Sequence, residues 1–308
     1  MDMKMNIKVL GGTGMIGRNL IESLNSEDNL NLSVLSLRDE KWKSNFDKDC
    51  DIVINLIGKA HDHDGLSDQK DYYQVNVELI KEVFTAFLSS NASLMIHISS
   101  LAALEEFEAN IPLTEKDKCN PVSWYGKSKL EAEKWLLKQK IPSDKKLIIL
   151  RPPMVHGPGD KGNLGLLYKL ISKGIPYPLS SFDNSRSFIS ITNFSFFIKK
   201  IIGNSDKLKT DIYHIADDES ISTSEIVEII KESTGKNVLN LPIPKFLIRI
   251  IAKIGDTVPI PLNTKRLKKM TSNLLVSNAK IKTLLQIDKL PLTARDGIKD
   301  TISTFSKS

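Results

Sequence analysis

The sequence predicts an α/β fold, a doubly wound parallel sheet followed by a smaller mixed α/β C-terminal lobe. Three observations carry this. Short apolar runs and helical patterns alternate from Ile7 to Leu150, the grammar of strands crossed over by helices. The stretch Asp51 to Ile57 is nearly continuous in apolar residues, as a strand covered on both faces reads. After Arg151 the alternation stops, because Pro152, Pro153, Gly157, Pro158, Gly159 and Gly162 crowd a short stretch in which no regular element is expected to persist.

The elements follow in order. Ile7 to Leu10 is a short buried strand, and Met15 to Leu24 carries Ile16, Leu20, Ile21 and Leu24 at helical spacing. Strands are expected at Leu32 to Leu37, Asp51 to Ile57, Leu94 to Ile98 and Leu147 to Leu150, with helices at Tyr73 to Leu88 and Trp124 to Lys138 between them. In the second half, helices are expected near Leu164 to Lys173, Ser224 to Ser233, Pro244 to Ile254 and Leu292 to Phe305. Strands are expected at Ser187 to Ile191 and near Ile212 to Ala216. The expected division is residues 1–155 for the first domain and 156–308 for the second, with some strands returning to the first. A chain of 308 residues suits it, since domains usually run to ~100 to 200 residues.

Composition excludes several classes. With 41% hydrophobic and 26% charged residues, the chain lies far from the disordered range. The net charge is +6 and the basic residues are spread along the chain, so nucleic acid is not an expected partner. Cys50 and Cys119 are too few for a disulfide framework or a zinc site and suit a reducing compartment. No apolar run is long enough to span a membrane and the N-terminus lacks a signal-peptide pattern, so the expected location is cytoplasmic.

Between the first strand and first helix stands Gly11-Gly12-Thr13-Gly14-Met15-Ile16-Gly17. A dinucleotide pyrophosphate needs backbone amides at a helix N-terminus with no side chains in the way, which glycines at 11, 14 and 17 supply in a Rossmann-like unit. Such a turn can also be merely tight; its place after a strand and before a helix is what favours the dinucleotide. The end of the second strand selects the cofactor, an acid binding the ribose 2′-hydroxyl of NAD and an arginine the 2′-phosphate of NADP. Ser36-Leu37-Arg38-Asp39 offers Arg38 first, so NADP is expected, with NAD as the alternative if Asp39 stands at the strand end.

Tyr125 and Lys129 are four apart on one helix face, about 6 Å along the axis. A phenol is a poor acid or base at neutral pH, and a neighbouring ammonium is expected to pull its pKa down. Ser100, after the strand Leu94 to Ile98, is placed to hydrogen-bond the same substrate oxygen. By itself a Tyr-x-x-x-Lys pair is equally an amphipathic helix with a solvated lysine.

Together with the glycine turn, the pair resembles the extended branch of the short-chain dehydrogenase/reductase superfamily, the nucleotide-sugar epimerases, dehydratases and reductases, and the likeness covers nearly the whole chain. Tyr73-Gln74-Val75-Asn76-Val77 resembles the family's Asn-Val helix start behind the cofactor. The run Leu150 to Gly159 resembles its stretch beside the nicotinamide, with His156 where tyrosine is commoner. Asn184 to Ser190 is similar to its phosphate-clamping arginine strand, and Gly162-Asn163 to the loop against the diphosphate. The departures are Leu104-Glu105 in place of Tyr-Gly, and the missing acid at the second strand end.

The resemblance implies roles. Ser100, Tyr125 and Lys129 would be catalytic, with Lys129 also reaching the nicotinamide ribose. Gly11, Gly14, Met15, Ile16, Gly17, Arg38, Leu56, Gly58, Asn76, Tyr125, Lys129, Pro152 and Val155 would hold NADP or NAD, and Ser100, Asn163 and Arg186 the nucleotide sugar. The implied reaction is hydride exchange between nicotinamide and sugar C4. A dehydratase needs carboxyl groups beside the serine, where Leu101 and Ala102 stand. The reading favoured is a UDP-4-keto-6-deoxy-N-acetylhexosamine reductase of surface polysaccharide synthesis, the alternative a UDP-hexose or UDP-N-acetylhexosamine 4-epimerase. A non-catalytic NAD(P)-binding sensor or scaffold is the rival class, against which Tyr125 and Lys129 speak. The family leaves room for a homodimer.

Two further stretches carry residues that invite a functional role. His61-Asp62-His63-Asp64 has ligand-type residues, but the chemistry needs no metal and a solvated or substrate-facing loop is expected. The apolar residues of Pro244 to Ile254, interleaved with Lys245, Arg249 and Lys253, fit either an interfacial helix or a core-packed stripe. The core is expected, and membrane association is not.

Overall fold

The computed structural model describes residues 4–46, 49–60, 68–160, 162–258, 260 and 262–306. The chain begins with β1 (Met5–Leu10), α1 (Met15–Asn25), β2 (Leu30–Leu35) and β3 (Ile52–Asn55). A broken helix follows: α2 (Gln69–Tyr73), a π-helical turn at Gln74–Glu78, and α3 (Leu79–Leu88). Its start, four residues earlier than the sequence suggested, is capped by Asp68, whose carboxylate accepts from the Asp71 amide. Next come β4 (Leu94–Ile98), β5 (Ala109–Leu113), α4 (Trp124–Leu137), β6 (Lys146–Arg151) and β7 (Met154–His156).

Six strands form one parallel sheet in the order β2-β1-β3-β4-β6 and then β9 (Asp211–His214). The chain runs outward from β1 to β2, then returns past β1 to β3. In such sheets the crevice at the carboxyl ends of the strands flanking this reversal, here β1 and β3, is where ligands bind. Period-two alternation fills both faces: Ile54, Ile96 and Ile148 enter one core, Val53, Met95 and Leu147 the other.

Between these strands the second half contributes α5 (Asn163–Ser172), β8 (Phe188–Ser190) and α6 (Ile191–Gly203). Helix α6 was not anticipated, yet Phe194, Phe197, Ile198 and Ile201 are fully buried under the sheet, on the face that α1 also covers. Truncating either phenylalanine to alanine should cost about 3 to 5 kcal/mol. The Pro152-Pro153 pair ends β6, but contrary to expectation a regular element resumes at once: β7 pairs in parallel with β8 outside the main sheet.

The remaining elements are α7 (Thr223–Thr234), α8 (Lys245–Ile254), α9 (Thr264–Thr271), β10 (Leu274–Val276), α10 (Ala279–Leu285) and α11 (Ala294–Phe305). Helices α5, α7 and α11 enclose a separate core of Leu164, Ile171, Val227, Ile230, Ile298 and Ile302. β10 pairs with β5, tying the segment after β4 to the C-terminal part of the chain. One expectation fails here. The apolar stripe of α8 does not pack into the core; only Ile248 and Ala252 of that helix are buried. Among the described residues no helix is long and apolar enough to cross a membrane.

Candidate active site

The glycine turn is built by close approach. Gly11, directly after β1, has φ +84°, and a Cβ on Gly17 would lie 2.5 Å from the Gly11 carbonyl oxygen. The turn therefore folds flat against α1. Gly14 caps α1 without a side-chain bond, and the first turn, opened by half-buried Met15 and Ile16, holds no acid. Its backbone amides and positive helix end thus face outward for an anion. The Leu56 amide donates to the Leu10 carbonyl at 2.9 Å, and a Cβ on Gly11 would stand 3.1 Å from the Leu56 carbonyl carbon. From the other side, Asn19 of α1 donates to the Pro158 carbonyl at 3.1 Å. This cradle fits a dinucleotide pyrophosphate.

Strand β2 ends at Leu35, two residues before the expected end. The acid moves away from the strand as a result: Asp39 caps a short helical turn at Glu40–Lys43, accepting from the Lys41 amide at 2.9 Å. Arg38 is exposed beside Ser36.

Ser100 and Tyr125 meet. Ser100 opens a short helical turn at Leu101–Ala103, its hydroxyl accepting from the Ala102 amide at 3.2 Å, and it stands close enough to the Tyr125 phenol to lower that group's pKa. Gly126 makes the approach feasible, since a Cβ there would lie 2.4 Å from the Ala102 carbonyl oxygen. The N-terminus of α4 is fixed by the Ser123 cap, and by Glu106, whose carboxylate accepts from the amides of Val122 (2.9 Å) and Ser123 (2.7 Å).

The electrostatics differ from the expectation. Burial pushes the Tyr125 phenol up; the nearby Ser100 hydroxyl partly offsets this, while Glu106 and Tyr72 add to the rise. Lys129 does not depress it, because its ammonium is directed elsewhere, donating to the Ile98 carbonyl at 3.0 Å. Lys129 is 3% exposed, and burial lowers its pKa to about 8 against the opposing pull of Glu133. Its Nζ stands beside exposed Gly58, where a Cβ would lie 2.8 Å away.

Asn76 lies under this corner, fully buried in the π-helical turn. It accepts from the Lys59 amide (2.8 Å) and donates to the Lys59 carbonyl (3.0 Å) and the Ser128 hydroxyl (2.9 Å). Its side chain therefore pins the loop after β3 to α4, and so holds Gly58 against Lys129.

Sequence reasoning missed Glu133, one turn beyond Lys129. It is 1% exposed and paired with Arg151, itself 2% exposed; the Arg151 Nε to Oε1 distance is 2.9 Å. The Ser99 hydroxyl donates to the same carboxylate. Adjacent serines thus face opposite ways, Ser99 to the buried pair and Ser100 to Tyr125. The Pro152 carbonyl accepts from the Leu101 amide at 2.8 Å, which locks the Ser100 turn to the end of β6.

The remaining expected residues are more dispersed. Val155 is half-buried in β7. His156 is fully buried, its Nδ1 2.8 Å from the Thr301 hydroxyl. Asn163 opens α5 and is exposed. Arg186 is half-buried between two backbone bridges and donates to the Ser272 carbonyl at 3.0 Å; burial lowers its pKa to about 10. Lys269 of α9, also missed, lies near enough to be influenced by Arg186 and Glu106, and burial lowers its pKa. The stretch from His61 to Asp64 lies outside the described residues.

The chain is similar to several sugar 4-epimerases. A UDP-glucose 4-epimerase of Vibrio cholerae is 28% identical, with 98% of this chain and 96% of that protein covered. An N-acetyl-α-D-glucosaminyl-diphospho-ditrans,octacis-undecaprenol 4-epimerase of Escherichia coli O157:H7 is 26% identical, with 79% of this chain and 76% of that protein covered. Among solved structures, the UDP-glucuronic acid 4-epimerase of Bacillus cereus in complex with NAD superposes with a TM-score of 0.78 at 17% identity, covering 98% of this chain and 99% of that one. Residues 7–216, from β1 through the end of the six-stranded sheet, match the NAD dependent epimerase/dehydratase family as a whole, and the chain belongs to that family.

Proposed function

We propose that the protein is a 4-epimerase of a diphosphate-linked sugar, a UDP-hexose or UDP-N-acetylhexosamine. The observation that carries this is the juxtaposition of Ser100 with the Tyr125 phenol, in a chain that aligns along nearly its whole length with a UDP-glucose 4-epimerase. The sequence alone favoured a 4-ketoreductase; the relatives' names move the preference to epimerisation. The lipid-linked substrate in the name of the Escherichia coli relative presents the same sugar diphosphate on another carrier.

The nicotinamide ring, when bound, supplies the hydride acceptor and donor at sugar C4. Gly11, Gly14, Met15, Ile16 and Gly17 would hold the pyrophosphate, Arg38 the ribose 2′-phosphate of NADP, and Leu56, Gly58, Pro152 and Val155 the walls of the crevice. Lys129, kept at Gly58 by Asn76, would hold the nicotinamide ribose. Tyr125 takes the C4 hydroxyl proton and returns it, while Ser100 holds the same oxygen in line. A phenol raised by burial is a weak base on its own, so proton transfer gains from any cation brought close to it. Arg186, Lys269 and Asn163 would meet the diphosphate.

A second reading, the NADPH-dependent 4-ketoreductase, is favoured by Asp39 being engaged as the cap of the Glu40–Lys43 turn while Arg38 beside it is exposed. One experiment separates the two. UDP-N-acetylhexosamines with only trace nicotinamide cofactor should interconvert at C4 under the first reading. Stoichiometric NADPH consumption with a UDP-4-keto-6-deoxy sugar, and no interconversion, would establish the second.

A further inference from the structure

Helix α8 turns most of its apolar residues to solvent. Phe246, Ile250 and Ile254, spaced four apart, are 62%, 50% and 50% exposed, with Leu247 and Ile251 beside them at 41% each. At about 100° per residue, the centre of this stripe lies roughly 150° round the helix from buried Ile248 and Ala252. Lys245, Arg249 and Lys253, also four apart and exposed, form a second stripe along one flank. A surface helix of a globular protein shows the reverse, apolar residues inward and charges outward. Five large apolar side chains on one outer face exceed the scattered exposure normal for a protein surface.

The charge has the same address. Residues 245–269 hold seven Lys or Arg and one Asp, a net +6, which equals the formal net charge of the whole chain. Outside this segment basic and acidic residues balance in number. Part of the excess is compensated, since Lys268 pairs with Glu108 at 3.4 Å. The stripe on α8 has no acid in it.

We propose that α8 docks the protein on an anionic lipid bilayer, its apolar stripe at the acyl boundary and its basic stripe at the headgroup phosphates. This is the geometry of an interfacial helix, in which buried apolar area and attraction to anionic lipid add. The charge chooses between occupants. A second copy seated two-fold on this face would appose the same positive segment to itself, whereas an anionic surface neutralises it. Docking also brings a binding region close to the bilayer: α9 packs on α8 and runs into Ser272, whose carbonyl holds Arg186. That last consequence rests on the reading of Arg186 given above; the docking does not.

The test is co-sedimentation of the full chain with vesicles of phosphatidylcholine alone or mixed with phosphatidylglycerol, at low and high salt. Binding to the mixed vesicles, weakened by salt and absent with phosphatidylcholine alone, is expected. Ile250→Glu with Ile254→Glu should reduce it by about a hundredfold or more. Arg249→Glu with Lys253→Glu should reduce it by roughly a hundred- to a thousandfold. All four positions are exposed, so cofactor affinity and turnover of a soluble UDP-sugar should stay as in the wild type, whichever reaction is found. A tryptophan placed by Phe246→Trp should shift its emission to the blue on adding mixed vesicles. Absence of binding at low salt, or binding indifferent to Ile250→Glu with Ile254→Glu, would overturn the proposal. So would lipid-free self-association that those substitutions abolish, because the occupant would then be a second copy.

Discussion

The Lys129 ammonium lies 2.8 Å from the place a Cβ would take on Gly58. The loop after β3 therefore passes closely over the end of Lys129, in space that a side chain at residue 58 would share. Gly58→Ala should fold almost normally, since the obstructed atom is the tip of a flexible side chain, but it should displace that tip from the Ile98 carbonyl. A misplacement of ~1 Å can cost about a hundredfold. Turnover measured beside the thermal midpoint checks this: a large fall in the first with little change in the second is expected.

Lys129 burdens the fold it serves. Burial lowers its pKa from 10.5 to about 8, so the folded protein holds fewer protons than the unfolded chain between those values. Through this group, stability should rise with pH across that window, and by up to about 3 kcal/mol. Lys129→Met should abolish most turnover while leaving stability at pH 7 unchanged or higher, and its urea unfolding should lack the alkaline gain. A clear loss of stability at pH 7 would mean that the bond to Ile98 outweighs desolvation.

The Glu133–Arg151 pair behaves oppositely. Glu133→Ala leaves a buried guanidinium without its counter-charge and should destabilise by about 3 to 5 kcal/mol. Replacing both, Glu133→Leu with Arg151→Met, should recover most of that loss, because neither charge then needs a partner. Denaturant titration of the single and double variants measures the difference. Since Arg151 precedes Pro152, whose carbonyl anchors the Ser100 turn, the single variant should also lower turnover.

Arg38→Ala should weaken NADP by about ten- to a hundredfold while leaving NAD nearly unchanged, the scale of one charge-assisted phosphate contact. Fluorescence titration with both cofactors decides it. Equal effects would return the selection of cofactor to residues other than Arg38.

Local chemistry explains what could be read ahead of the structure. The strand, glycine turn and α1 were legible because a flat turn against a helix tolerates few residue types, and Gly11 and Gly17 are among them. Spacing placed Tyr125 and Lys129 on one helix face and Ser100 after a strand; the roles proposed for them came from the family resemblance. Helix α6 was not legible, because Ile191, Thr192, Phe194, Phe196 and Phe197 are strand-forming types, although Phe194, Phe197, Ile198, Ile201 and Ile202 fall at helical spacing. That spacing was the signal available. Strands β5 and β10 carry no local pattern, since each exists by pairing with a segment far along the chain. A glutamate on a helix reads as solvated, and only Arg151, arriving from β6, reveals Glu133 as buried. The direction of the Lys129 ammonium likewise depends on how α4 packs on β4.

The proposed reaction turns above all on Tyr125 as the group that carries the C4 proton. The most direct measurement follows C4 interconversion of UDP-glucose and UDP-N-acetylglucosamine by NMR with trace nicotinamide cofactor, in wild type and Tyr125→Phe, with cofactor affinity determined separately. Wild type should interconvert at least one sugar without net cofactor consumption. Tyr125→Phe should lose roughly a hundred- to ten-thousandfold, the scale of general acid–base catalysis, with cofactor affinity intact. Near-normal turnover by Tyr125→Phe would contradict this role of Tyr125.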